Sequence, residues 1–267
     1  MRLVCLSAIV VALAGPALAA DLPTRKGPPE APPVASAYDW TGAFVGVNFG
    51  WADGENSWDA YRTNTVTAPK SSPTVNALLI GIGLPAGAFL DSGKIGSQTF
   101  HGGGEFGYNY MFPSRVVIGG TVSVNVGTDS SSRTVTPTGS VSTSKNTDTI
   151  GGAALAKLGY AFGDVLPYVD GGFAWTGGTT TRTQLVGNAS PNGTLVTLPY
   201  SDSLDYTRLG WDVGAGLAFH IWQGWEIYAQ YDHREFGRSD FIYANANVTT
   251  KSSLTTDSVT LGVDYKF

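Results

Sequence analysis

Three histidines, His101, His220 and His233, are the residues of this chain best suited to acid–base or ligand chemistry, and none stands in a recognisable catalytic set. His233 follows Asp232, but adjacent side chains of an extended strand point to opposite faces, so the two do not form a base and its orienter. The run GGGEFG, residues 102–107, matches G-x-G-x-x-G in form. The phosphate-binding version needs a strand-to-helix turn, and here the glycines fall inside an alternating strand. Cys5 is the only cysteine, which leaves the body of the chain without thiol chemistry or a disulfide framework. Sixteen basic residues against 21 acidic ones, a formal net charge of −5, argue against a nucleic-acid partner. The expectation is no enzyme, no metal and no cofactor.

Nine charged residues form a different kind of set. Glu105, Lys157, Asp170, Asp212, Glu226, Asp232, Arg234, Asp264 and Lys266 each occupy the polar face of a segment whose other face is apolar. The segments repeat along the chain. TGAFVGVNFGW sets Val45, Val47, Phe49 and Trp51 against Gly46, Asn48 and Gly50. Segments with the same alternation centre near 106, 121, 157, 171, 214 and 230, and the last, SVTLGVDYKF, alternates up to Phe267. That makes eight strands. Charged residues are 14% of the chain, well below the roughly 25% of soluble proteins, and glycine numbers 35 of 267. A transmembrane β-barrel and a secreted β-sandwich both fit such a composition. The connections separate them. Residues 113–115, 163–166 and 220–224 are short, whereas 52–97, 127–147, 178–205 and 237–254 are long and polar. Strict alternation of short and long with an even strand count is the pattern of an outer-membrane barrel. The fold expected for 38–267 is therefore all-β: an eight-stranded antiparallel up-and-down transmembrane β-barrel with four long external loops.

The nine charges then face the lumen. They could line a cation-preferring channel, but eight strands enclose a space that side chains alone can fill, which favours a hydrogen-bonded plug. Inward glycines would make room for Phe44, Tyr168 and Tyr228. Residues 1–19 read as a signal peptide with a small-residue cleavage site at Ala19–Ala20. Residues 20–37 carry five prolines and are expected as an extended periplasmic arm, reaching roughly 55 Å at about 3.1 Å per residue. Residues 75–90, VNALLIGIGLPAGAFL, are unusually apolar for a water-facing loop. They could cap the barrel mouth, rest on the membrane rim, bind an apolar partner or form an extra hairpin.

ADLP after the signal, YDWTGAFVGVNFGW, LGYAFGDVLPYVDGGFAW, LGWDVGAGLAF and the terminal LGVDYKF together resemble the small outer-membrane immunogenic proteins, surface antigens of Gram-negative bacteria loosely called porins. The resemblance implies residence among outer-membrane lipid and a role in envelope structure and surface exposure. It also implies recognition of Tyr265 and Phe267 by the barrel-insertion machinery. Relatives of this type can be joined to peptidoglycan through a mature Ala-Asp terminus, which Ala20 and Asp21 match. Some bind haem, for which His101 and His233, expected near the external rim, are the available ligands. The chain departs from the family pattern at Leu155, Ala218 and Gln230, where inward charges are common, so pore selectivity does not carry over.

Overall fold

The computed structural model describes residues 38–62, 87–128, 131–135, 140–189, 195–243 and 248–267. The expected cleavage and attachment residues Ala19, Ala20 and Asp21, and residues 75–86 of the apolar stretch, lie outside the described residues. The strands are β1 (Gly42–Arg62), β2 (Phe89–Met111), β3 (Val116–Thr128), β4 (Ser131–Val135), β5 (Ser140–Tyr160), β6 (Val165–Ala189), β7 (Leu195–Trp222), β8 (Trp225–Tyr243) and β9 (Val248–Lys266). All pair antiparallel in one sheet that closes on itself, β1 against β9 and β3 against β5. Eight staves make the ring, as expected. The ninth strand, β4, follows β3 along the chain and, like β3, pairs with β5.

The long connections are shorter than the sequence suggests. β1 runs on to Arg62, β6 to Ala189 and β8 to Tyr243, while β7 starts at Leu195 and β9 at Val248. Much of 52–97, 178–205 and 237–254 is therefore strand, not loop. The physical reason is the solvent. Past the apolar band the outer face meets water, so Thr179, Thr181, Ser201 and Ser203 replace apolar residues and the contrast between faces disappears. The ladder itself continues, held by pairs such as Thr181–Ser203, whose hydroxyls lie 2.8 Å apart, and threonine suits a pleated strand.

At the opposite end the connections are tight turns. Gln223 and Gly224 both have positive φ, 37° and 85°, the requirement of a type I′ hairpin. Gly163 alone is positive in its turn, at 70°. Arg115 takes the same region, at 67°, where Arg115 N–H donates to the Phe112 carbonyl at 2.8 Å.

Facing follows the alternation. Val45, Val47, Phe49 and Trp51 of β1, Phe106 and Tyr108 of β2, Trp211, Val213 and Leu217 of β7, and Val259 and Leu261 of β9 are exposed on the outer wall. Their neighbours Phe44, Asn48, Glu105, Asp212 and Ser258 are buried inside. Rings concentrate at the turn end: Trp225 lies 5.2 Å from Tyr265, and Tyr265 the same distance from Phe267. Val213, 48% exposed in the apolar band, gives a test of facing. Val213→Arg is expected to cost about 2–4 kcal/mol in urea titrations of the bilayer-inserted barrel. A harmless substitution would place strand β7 the other way round.

Candidate functional site

The closed ladder sorts the lumen charges into rows. One row runs Glu105, Gly46, Asp264, Glu226 across β2, β1, β9 and β8. Another runs Lys157, Asp170, Gly214, Asp232 across β5 to β8. In both, a glycine separates two carboxylates and leaves them the space above it. A Cβ on Gly214 would stand 2.5 Å from Asp170 Oδ1 and 2.5 Å from Asp232 Oδ1. A Cβ on Gly46 would collide with the Asp264 carboxylate.

Arg234 stands opposite Asp212 in the β7–β8 ladder. Its Nε donates to Asp212 Oδ2 at 2.7 Å and its Nη2 lies 3.4 Å from Asp232 Oδ2. The two acids are 2% and 1% exposed. Removing one partner of a buried pair strands the other charge at a cost of about 3–5 kcal/mol, so the guanidinium and its two acids act as a unit. Gln230 extends that unit without adding charge, accepting from the Tyr168 hydroxyl at 2.8 Å and donating to Asp232 Oδ1 at 2.5 Å. Lys157 Nζ lies 4.3 Å from the Tyr168 ring centroid and 5.4 Å from that of Phe44, within cation–π range.

Inward aromatics fill what remains, each over a glycine directly across the ladder: Phe44 over Gly107, Tyr168 over Gly216 and Tyr228 over Gly262. A Cβ at any of the three would run into the ring. The space left among Glu105, Asp170, Gln230 and Arg234 is about 30 Å³, room for about two waters.

Two further layers close the barrel, and sequence reasoning missed both. At the turn end, Trp40 is fully buried among Val117, Ala161, Leu166 and Ala218, and its Nε1 donates to the Gly163 carbonyl at 3.0 Å. Beside it the Tyr38 hydroxyl donates to Glu226 Oε1 at 2.8 Å, and its ring stacks on His220 at 3.7 Å. Burial, then the Glu226 carboxylate, push the Tyr38 hydroxyl above its ordinary pKa, so it stays a donor. Lys266 Nζ lies 3.9 Å over the Tyr38 ring and donates to the Asp39 carbonyl. The Thr41 backbone N–H, 2.9 Å from Asp39 Oδ1, holds that carboxyl below the usual range. In the sequence YDW shows only two aromatics just ahead of the first strand, with nothing to say what they cover.

At the loop end, Arg182 and Arg208 are buried on the lumen side of β6 and β7. Arg182 Nη1 donates to Thr250 Oγ1 at 3.4 Å, and Arg208 Nη2 to Ser252 Oγ at 3.0 Å. Their guanidinium carbons lie 5.5 Å from the Trp58 ring and 5.1 Å from the Tyr206 and Phe241 rings. Treating 178–205 as loop hid Arg182, and treating 52–62 as loop hid Trp58.

The histidines are dispersed. His101 faces the lumen, its Nε2 3.3 Å from Thr260 Oγ1. His233 lies on the outer wall, its Nδ1 2.7 Å from Asp257 Oδ1, the oxygen that also accepts from the Tyr231 hydroxyl at 2.6 Å. With the wall between them, His101 and His233 do not converge on one site. The His233–Asp257 pair is a direct register pair of β8 and β9, which the sequence neighbour Asp232 had obscured. Among the described residues no nucleophile bonds His233 and no group of histidines and acids is placed to hold a metal. Residues 102–107 lie within β2, away from any helix terminus.

Gly214→Ala should therefore cost about 1–3 kcal/mol by overpacking, because the two carboxylates must move. Gly171→Ala, whose nearest neighbour would be the Asp212 carbonyl at 3.4 Å, should be neutral or slightly stabilising. Urea titration of the two variants side by side checks the contrast.

Residues 6–267 match the family described as outer membrane protein beta-barrel domain. The 31 kDa outer-membrane immunogenic protein of Brucella melitensis biotype 1 is 26% identical over 275 residues, covering 100% of both chains. The 25 kDa outer-membrane immunogenic protein of Brucella abortus biovar 1 is 26% identical over 267 residues, covering 99% of this chain and 97% of that one. Among solved structures, the outer membrane protease OmpT from Escherichia coli aligns at a TM-score of 0.43 and 7% identity, covering 85% of this chain and 97% of that chain. A likeness at that level says nothing of activity. Closed ladder, lipid-facing band and family match agree, and this chain belongs to the outer-membrane β-barrel protein family, as a surface protein of the Gram-negative outer membrane.

Proposed function

We propose that the barrel is a sealed, non-enzymatic scaffold of the outer membrane that supports the envelope and displays its external strands and loops. The observation that carries this reading is the filled lumen. Arg234 with its two acids, the rings seated over glycines, and Tyr38 with Trp40 at the periplasmic mouth leave about 30 Å³ at the centre, too little for a hydrated solute to pass. The family's immunogenic members accord with a surface role. The competing reading is a small porin. Planar bilayers separate the two: the purified barrel should insert without steady nanosiemens-scale openings. Sustained openings of that size would overturn the sealed scaffold.

The envelope role extends to the wall through the N-terminal arm. Supporting this, Ala20-Asp21 matches the mature Ala-Asp terminus through which the family resemblance implies wall attachment, and Tyr38 and Trp40, just ahead of β1, pack at the turn end of the barrel. The Ala20 α-amine would attack a transpeptidase acyl-enzyme, forming an amide to the wall peptide and releasing the enzyme nucleophile. Muramidase digestion of purified cell wall should release barrel whose N-terminal peptide carries a muropeptide mass. If mass spectrometry finds only unmodified Ala20 while the linking transpeptidases are expressed, the tether does not exist in this protein.

A further inference from the structure

The seam between β7 and β8 opens toward the loop end. The ladder joining them stops at Gly210–Phe236, yet both strands continue. β7 stays paired with β6 from Leu209–Trp175 to Leu195–Ala189, and β8 stays paired with β9 from Ser239–Ser252 to Tyr243–Val248. Among the described residues no ladder pair joins β7 to β8 in this outer part. The cause is local. On β8, Gly237 and Arg238 stand against the single residue Ser253 of β9, a bulge of the kind that bends its strand and increases the twist. Beyond it β8 follows β9 and parts from β7.

Between the two strands lies an open groove of about 380 Å³, lined by residues 204–207 of β7 and 239–242 of β8. On its lumen side the Tyr206 and Phe241 rings meet edge to face with centroids 5.5 Å apart, and the buried Arg208 guanidinium lies 5.1 Å from each. Side chains alone therefore join the two strands there. Of the lining residues only Asp205 and Asp240 are charged, and both are exposed. Asp205 Oδ1 accepts from a neutral group, the Thr179 hydroxyl, at 2.8 Å. Lys251 stands opposite Asp240 on β9, but its Nζ lies over the Tyr61 ring of β1, 5.8 Å from the centroid and on the far side of β9 from the groove.

We infer that this groove binds an extended peptide segment of another protein, about four residues of which add as a strand between β7 and β8 with basic side chains outward. An unpaired strand edge presents alternate N–H and C=O groups, here from both sides of one groove, and an extended chain is what such groups pair with. Length follows from the lining: four residues of each edge, at about 3.3 Å apiece, give a slot of about 13 Å. Alternation then sorts the side chains. Those turned to the lumen lie on the Tyr206 and Phe241 rings and are small and apolar. Those turned outward lie near Asp205 and Asp240 and call for lysine or arginine. A second copy of this barrel is the poorer occupant, because its β7 and β8 edges would bring the same two carboxylates against these. The site adds a partner to the scaffold and does not depend on whether the lumen is sealed.

The test uses the full chain in phosphatidylcholine nanodiscs, with empty nanodiscs as the blank. The probe is a capped, fluorophore-labelled pentapeptide alternating lysine and valine, followed by fluorescence anisotropy. Saturable binding is expected, with slowed amide hydrogen exchange confined to 203–209 of β7 and 237–243 of β8. The same peptide methylated on its backbone nitrogens, or carrying glutamate for lysine, should bind at least tenfold more weakly. So should the native peptide to the double variant Asp205→Asn, Asp240→Asn, provided that the variant retains heat-modifiable migration. Absence of saturable binding to the native barrel would overturn the site. Equal binding by either altered peptide, or protection elsewhere on the barrel, would do the same without any variant, as would equal binding by the folded double variant. Slow exchange of both edges before peptide is added would show that the chain's own residues already fill the groove, which overturns it too.

Discussion

A sheet edge in hydrocarbon has no water to satisfy its N–H and C=O groups, so the whole structure depends on β1 meeting β9. That junction runs from Phe44–Lys266 to Arg62–Val248 without a register shift. Once its register is set, every other pairing is constrained, because the ring must close with the same side chains inward on all staves. A slip of one residue would turn Glu105, Asp212 and Asp232 to lipid and Val213 and Leu261 to the lumen. Closure is thus the step that converts a linear alternation into an inside and an outside.

The interior follows from closure. Carboxylates separated by more than 100 residues in sequence, such as Glu105 and Asp264, come into one row because the ladder carries them to opposite sides of Gly46. The glycines supply lateral space that larger residues would take from the carboxylates and rings. Arg234 then holds Asp212 and Asp232 where water is scarce. Buried ion pairs add little net stability, since desolvation opposes the attraction, but this one exists only in the observed β7–β8 register. Above and below, the filling changes character. Trp40 and Tyr38 close the periplasmic end with rings, and Arg182 and Arg208 close the other with guanidinium groups laid over aromatic faces.

The outer surface obeys two solvents in turn. Within lipid it shows valine, leucine and aromatics; past Trp51 on β1 it shows Asp53 and Glu55, and past Trp175 on β6 it shows threonine. The strands do not notice the boundary, since their hydrogen bonds are made to one another.

What the sequence determined by itself was whatever depends on alternation against lipid: strand count, the facing of each membrane segment, the short turns, and the inward glycines that make room for Phe44, Tyr168 and Tyr228. Period-two contrast is a local signal and survives without knowing any partner. Tertiary structure decided everything that depends on register or on a change of solvent. Arg234 meets Asp212, and His233 meets Asp257 rather than Asp232, because cross-strand partners are set by the closed ladder and not by sequence proximity. The external strand extensions were illegible because water on the outer face removes the apolar contrast. Trp40 and Tyr38 were illegible as a plug because they precede the first strand, and only the chain's turn under the barrel gives them a pocket to fill.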